Sequence, residues 1–213
     1  MIKLYDYFRS TASYRIRIAL NLKNLDHTKF NVNLIKDGGE QHQADYKALN
    51  PQGLIPTLID QKNNIQISQS IAILEYLEEA YPEPAILPDN LQQRAQTRQI
   101  AQIIACEIHP LNNLRVLQYL VNTLGVSETD KTTWYHHWLK SGFDSIEAIL
   151  HKQASKDYCV GNSITMADIC LIPQLYNANR FDFDISSYTH INQIAERCQT
   201  HPAFENAIPV APG

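Results

Sequence analysis

Long hydrophobic runs are missing from this sequence. No stretch of the 213 residues approaches the ~18–20 consecutive apolar residues of a membrane-spanning helix, so no membrane association is expected. The start, Met1-Ile2-Lys3-Leu4-Tyr5-Asp6, lacks a charged segment followed by an apolar one, and no secretory signal is expected. Cysteine is scarce and scattered. Cys106, Cys159, Cys170 and Cys198 show no C-x-x-C spacing, which excludes zinc fingers, redox-active dithiols and disulfide scaffolds. They fit reduced thiols in the cytoplasm. Positive charge is not in excess either. Lys plus Arg number 18 against 22 Asp plus Glu, a net charge of -4, which argues against a general nucleic-acid binder. Internal repeats and low-complexity tracts are absent. What remains is an ordinary globular composition, 44% hydrophobic and 19% charged, long enough for one large or two small domains.

Two grammars divide the chain. The first 80 or so residues alternate strand and helix signals. Ile2 to Tyr7 is β-branched and aromatic and reads as a strand. Ala12, Ile16, Ala19 and Leu20 form a helical stripe. Phe30, Val32 and Leu34 alternate with polar residues, a half-buried strand. Asp37-Gly38-Gly39 is a turn, and Gln43 to Leu49 a short helix. Thr57 to Ile59 and Ile65 to Ile67 form a hairpin, and Ile73, Tyr76, Leu77, Ala80 and Tyr81 a helix that stops before Pro82. The order β-α-β-α-β-β-α, with the first two strands parallel, is that of a thioredoxin-like α/β domain.

Pro82, Pro84 and Pro88 then punctuate an exposed linker, and strand signals vanish. Leu91 to Ile108, Leu111 to Leu124 and Thr129 to Ala154 read as helices. The last is capped by Ser127 or Thr129, with Trp134, Trp138, Phe143, Ile146 and Ile149 in the core. Three segments are therefore expected: residues 1–81, an α/β domain; 82–89, a linker; and 90–213, an all-helical domain. Thr165-Met166-Ala167-Asp168 is a capping box, with Ile164 and Ile169 as its hydrophobic staple. Asp168 reads as a structural cap, not a catalytic acid. The neighbouring His136 and His137 point about 100° apart on a helix and lack partners at zinc spacing, so no metal site is expected.

Three places could carry chemistry. Arg9-Ser10-Thr11-Ala12-Ser13 sets three hydroxyls at a helix start, where an anion is favoured and a bound thiol's pKa is lowered. Simple N-capping by one hydroxyl is the plainer alternative. Ile55-Pro56 precedes a strand, a position where a cis turn would expose the Ile55 backbone to a peptide-like ligand, although trans is the ordinary form. Ser68-Gln69-Ser70 precedes another helix. A serine there caps it, or Gln69 and Ser70 bind a ligand carboxylate.

These segments resemble the zeta-class glutathione transferases, the maleylacetoacetate isomerase family, over essentially the whole length. The resemblance rests on residues 7–20 (YFRSTASYRIRIAL), 49–58 (LNPQGLIPTL), 69–77 (QSIAILEYL), 108–117 (IHPLNNLRVL) and 166–174 (MADICLIPQ). It implies a thioredoxin-like domain followed by a helical bundle, glutathione as coenzyme, a homodimer and a small-molecule substrate. It also implies isomerisation of maleylacetoacetate to fumarylacetoacetate in aromatic catabolism. A maleylpyruvate isomerase, a zeta-like transferase acting on other electrophiles or α-halo acids, and a non-catalytic binding module are the alternatives.

By the same resemblance Ser10, with Thr11 beside it, holds the glutathione sulfur. Gln41, Ile55, Pro56, Gln69, Ser70, His109, Asn113 and Arg115 contact glutathione, and Arg9, Arg115 and Arg180 take the substrate carboxylates. Ala12 stands where the family often has cysteine, so no chemistry is expected from a thiol at that position. Arg15 and Arg17 read as helix-surface charges.

Overall fold

Ile2–Asp6 forms strand β1, with Ile2, Leu4 and Asp6 buried on one face, the period-two pattern of a pleated strand. In this computed structural model, which describes residues 1–153 and 157–211, β1 lies inside a four-stranded sheet. The other strands are β2 (His27–Asn31), β3 (Thr57–Asp60) and β4 (Ile65–Ser68), in the order β2-β1-β3-β4. β1 and β2 run parallel, with Tyr5 opposite Phe30; β3 is antiparallel to both β1 and β4. The parallel pair and the edge hairpin follow the sequence expectation. The second strand does not. It ends at Asn31 and is largely exposed, so Phe30, Val32 and Leu34 do not form a buried stripe. Phe30 instead stacks on Tyr5 at 5.1 Å, and Val32, past the strand, is buried and donates to Asp6 O at 2.7 Å.

The described residues fold as two compact units. The first is Met1–Ala85 together with the segment from His201 on; the second is Ile86–Thr200. The C-terminal segment expected in the helical domain thus groups with the sheet. The physical reason is a pair of hydrogen bonds from helix α1 (Thr11–Leu22): Arg17 Nε donates to Ala207 O at 3.1 Å and Asn21 Nδ2 to Ala203 O at 3.0 Å. The linker expectation also shifts. Ile86 and Leu87 are buried, and Ile86 O accepts from Met166 N at 2.8 Å within the second unit.

In the first unit, α1 is buried along residues 11–20, and this includes Arg15 and Arg17. Neither is a surface charge. Arg17 NH1 reaches Asp6 Oδ1 at 2.7 Å and Oδ2 at 3.0 Å, and its NH2 reaches Phe8 O at 3.1 Å. A buried guanidinium is tolerated when its donors are this fully engaged. Helices α2 (Ala44–Leu49) and α3 (Ser70–Ala80) complete the unit before the C-terminal turn α9 (Pro202–Glu205). Lys23 Nζ ties the end of α1 to the end of α3 through Glu78 Oε2, Tyr81 O and Pro84 O, at 2.7–2.9 Å.

The second unit holds α4 (Leu91–Gln102), α5 (Leu114–Asn122), α6 (Glu128–His151), α7 (Met166–Arg180) and α8 (Thr189–Gln199). The helix expected to run unbroken to Ile108 widens into a π-helical stretch over Ile103–Ile108. Its exit is marked by His109 N bonding five residues back, to Ile104 O at 2.9 Å. Helix α6 begins at the Ser127 cap; its expected end at Ala154 lies outside the described residues. Its buried face is Tyr135, Leu139, Gly142, Phe143, Ile146 and Leu150, with Trp134, Trp138 and Ile149 only half-buried. A Cβ at Gly142 would sit 2.2 Å from Ile108 Cδ1, so the Ile108 side chain would have to move to admit one. The capping box is present as read. Both Thr165 N and Oγ1 donate to Asp168 Oδ2 at 2.8 Å, and Cys159 N donates to Oδ1 at 2.8 Å. Asp168 is wholly buried and fastens a loop to a helix start, and Ile169 to Ile172 are buried behind it.

Candidate active site

Ser10 is the N-cap of α1, with extended backbone angles. Its Oγ accepts from Ser13 N at 3.2 Å and it is half-buried. A hydroxyl has one proton and two lone pairs, so a capping Ser10 still has its O–H to donate. Thr11 and Ser13 are buried, at 1% and 0% exposure, so the expected cluster of three hydroxyls reduces to one accessible group. Arg9 is exposed, its guanidinium 5.0 Å from the centre of the Phe8 ring.

The loop before β3 is pinned from α2. Tyr46 Oη and Asn50 Nδ2 both donate to Leu54 O, at 2.7 and 2.6 Å. Burial holds the Tyr46 phenol above its ordinary pKa. The Ile55-Pro56 bond that follows is cis, and the β3 ladder begins one residue later at Thr57. Gly53 has φ +61°, and a Cβ there would come within 3.0 Å of Gln41 O. Gln41 itself is only 7% exposed; its Nε2 lies 3.1 Å from His42 Nε2 and 3.4 Å from Leu34 O.

Neither Ser68 nor Ser70 caps α3. The N-cap is Gln69, at φ 73° and ψ 113°, a backbone region that costs a non-glycine residue about 1–3 kcal/mol and gathers at functional sites. The Gln69 side chain makes no capping bond to this helix end. The Gln69 carboxamide reaches across to Gln52 Oε1 at 2.7 Å. Ser70, the first helical residue, is 7% exposed, and its Oγ accepts from Arg15 NH1 at 3.0 Å. Asp60 steadies α3 against the hairpin. Its Oδ2 accepts from Tyr76 and Tyr81 hydroxyls, each at 2.6 Å, and its Oδ1 from Lys62 N at 2.9 Å. Burial alone would raise the Asp60 pKa, but these donors with Asn63 reverse that and hold it at about 2. Tyr81 is pushed up to about 12, by burial first and then by its bond to Asp60.

These contacts link residues far apart in sequence: Gln41 with Gly53, Gln52 with Gln69, and Ser70 with α1 and so with Ser10. Gln52 and Arg15 were not among the expected site residues. A signal for Arg15 existed, because position 15 falls on the stripe of Ala12, Ile16 and Ala19.

The remaining expected residues belong to the second unit. His109 ends the π-helical stretch, its Nε2 lying 3.5 Å from Asn113 Nδ2. Asn113 caps α5, its Oδ1 accepting from Arg115 N at 3.1 Å, and the Arg115 residue is exposed. Arg180 ends α7, bonds Asn177 Oδ1 at 2.9 Å and is exposed. Its guanidinium lies over the rings of Tyr176 and Phe181, at 5.8 and 5.7 Å. Phe181 in turn stacks on Tyr135 at 3.8 Å. The Tyr135 phenol is raised by burial, a rise the Arg180 charge reduces. Among the described residues no group of three His, Cys, Asp or Glu could hold a metal. His136 faces Phe181 O at 2.7 Å.

Comparison with known proteins followed the same two parts. The glutathione S-transferase N-terminal domain matches residues 4–85 and the C-terminal domain residues 116–202. A probable maleylacetoacetate isomerase of Vibrio cholerae is 49% identical, over 97% of this chain and 94% of its own. The maleylacetoacetate isomerase of Pseudomonas aeruginosa is 44% identical, over 98% and 96%. Among solved structures, a bacterial zeta-class maleylpyruvate isomerase in its holo form superposes with a TM-score of 0.92 at 41% identity, covering 97% of this chain and 96% of that one. A maleylacetoacetate isomerase of Anaeromyxobacter dehalogenans, with glutathione bound in its active site, gives a TM-score of 0.87 at 34% identity over 98% and 95%.

Proposed function

The chain belongs to the zeta-class branch of the glutathione S-transferase family, and from that membership we propose that it is a glutathione-dependent cis–trans isomerase converting maleylacetoacetate to fumarylacetoacetate. The observation that carries this is the state of Ser10. It sits at the N-terminus of α1 as an accessible hydroxyl already fixed as an acceptor, in a chain 44% identical to a maleylacetoacetate isomerase along 98% of its length. The N-terminus of α3 fits the carboxylate end of glutathione for a related reason. Helix N-termini leave backbone N–H groups unsatisfied, and an anion answers them.

When bound, glutathione would supply a thiolate able to add reversibly to the cis double bond, the chemistry that permits rotation about it. Ser10 donates its O–H to that sulfur and favours the anion. A free thiol near pKa 8.5 is only about 3% ionised at pH 7. A drop of about two units needs ~2.7 kcal/mol. One hydroxyl bond to a charge gives ~1.5–3 kcal/mol and the helix N-terminus ~0.3–1 more, which is sufficient without a general base. Thr11, buried beside Ser10 in the first turn of the same helix, holds that turn in place and leaves Ser10 as the hydroxyl that meets the sulfur. Gln69 and Ser70 hold the γ-glutamyl end, while the Ile55 backbone before Pro56 holds the cysteinyl amide as an added strand would. Gln41, His109, Asn113 and Arg115 are the remaining glutathione contacts. Arg9, Arg115 and Arg180 would supply planar, permanently charged forks for the substrate's two carboxylates and for negative charge at its carbonyl oxygen.

The division into an α/β domain, a linker and a helical domain, assembly as a homodimer, and action in the cytoplasm within aromatic catabolism complete the reading. The four free cysteines fit a reducing compartment. Likeness to a maleylpyruvate isomerase favours one specific second reading, the same chemistry on a shorter acid. Turnover of each cis acid, with and without glutathione, tests both. Glutathione-dependent turnover strongest on maleylacetoacetate supports the first, preference for maleylpyruvate the second. Turnover of neither overturns the isomerase assignment.

A further inference from the structure

We infer that Arg15 is a positioning residue for glutathione, acting through Ser70: by occupying a lone pair of Ser70 Oγ it frees the Ser70 O–H to be aimed at the ligand's γ-glutamyl carboxylate. The inference rests on the proposal that Ser70 holds that carboxylate.

A serine hydroxyl can turn either way. It carries one proton and two lone pairs, and its partners decide which face it presents. Arg15 removes that freedom, because a guanidinium has five N–H donors and no acceptor. With Arg15 NH1 3.0 Å away, Ser70 Oγ must accept on that side, so its proton points elsewhere. The bond is charge-assisted, which polarises the O–H and strengthens it as a donor toward an anion.

Arg15 is placed for this by burial, with 1% of its surface exposed. It rides on the face of α1 that carries Ala12, Ile16 and Ala19, all buried, so the helix holds it against α3 rather than toward water. The two bonded residues are 55 positions apart, which couples the start of α3 to the helix that Ser10 caps. The Gln69 side chain makes no capping bond to α3, so it does not compete for the same end.

Glutathione binding by titration calorimetry, with glutathione KM and kcat in the isomerase assay, tests the inference on R15M, R15K, S70A and the R15M/S70A double variant. Loss of one such hydrogen bond is expected to weaken glutathione binding about tenfold in R15M and in S70A alike. The change falls in the glutathione KM rather than in kcat, which a merely structural role would not produce. Because Arg15 acts through Ser70, the double variant binds no more weakly than S70A alone. R15K keeps a charge but not the planar fork, and its loss, several-fold, also vanishes in the S70A background. This second pair decides the matter if R15M does not fold. Full affinity in R15M, or losses that add in full, overturns the inference while leaving Ser70 in place. Unchanged affinity in S70A overturns the γ-glutamyl reading and the inference with it.

Discussion

Removing the Ser10 hydroxyl separates its two jobs, capping α1 and stabilising a thiolate. Alanine at an N-cap costs about 1 kcal/mol of stability, whereas glycine there costs only a few tenths. The Ser13 N to Ser10 Oγ distance of 3.2 Å is long for such a bond, which puts the alanine penalty toward the lower part of the usual range, about 0.5–1 kcal/mol. Both substitutions delete the donor to sulfur, worth about 1.5–3 kcal/mol against a charge. At about 1.4 kcal/mol per unit, the bound thiol's pKa then rises by about one to two units. Ultraviolet titration of thiolate in the protein–glutathione complex reads the second effect, and urea unfolding reads the first. S10A is expected to lose both stability and thiolate, and S10G thiolate alone. A bound-thiol pKa in S10G within a few tenths of a unit of the parent would refute the thiolate role. Equal stability losses in S10A and S10G would refute the cap.

Asp60 gives the fold an acid-side dependence. Its pKa is depressed to about 2 in the folded chain, so its contribution is complete above the unfolded value near 4 and disappears as pH falls through about 2. That contribution is about 1–2 kcal/mol once solvent screening is allowed for, and D60N should flatten the urea midpoint across this window. If the parent and D60N lose stability in parallel between these pH values, the hydrogen-bonded Asp60 is not the source. Arg180→Ala removes an exposed side chain whose contacts are with its chain neighbours Asn177, Tyr176 and Phe181, so stability should stay within about 0.5 kcal/mol while kcat/KM for the dicarboxylate substrate falls at least about tenfold. Retained kcat/KM would remove Arg180 from the substrate side. A thiol reagent should label Cys106 fast and leave the other three slow in the folded chain. Cys106 is exposed; Cys159, Cys170 and Cys198 are buried, and burial pushes the Cys159 and Cys198 thiols up. Two or more fast thiols by mass spectrometry would contradict that burial.

Periodicity and punctuation carried much of the fold. The alternation in Ile2 to Tyr7, the stripe beginning at Ala12 and the capping box at Thr165 are local signals, set by side-chain spacing along one element, and the structure reproduces them. So does the parallel pairing of β1 and β2, which a helical crossover imposes. The candidate positions Ser10, Ile55, Gln69 and Ser70 were legible because helix starts and a pre-strand proline announce themselves in sequence. Tertiary structure decided the rest. Arg17 is buried because Asp6 and the carbonyls of Phe8 and Ala207 converge on it, the last from 190 positions away. Arg15 is buried because α3 brings Ser70 to it. The C-terminal turn joins the sheet unit, and α3 begins without a serine cap, for the same kind of reason. A charge on a helix looks solvated until its acceptors arrive, and those arrive only through contacts between residues distant in the chain.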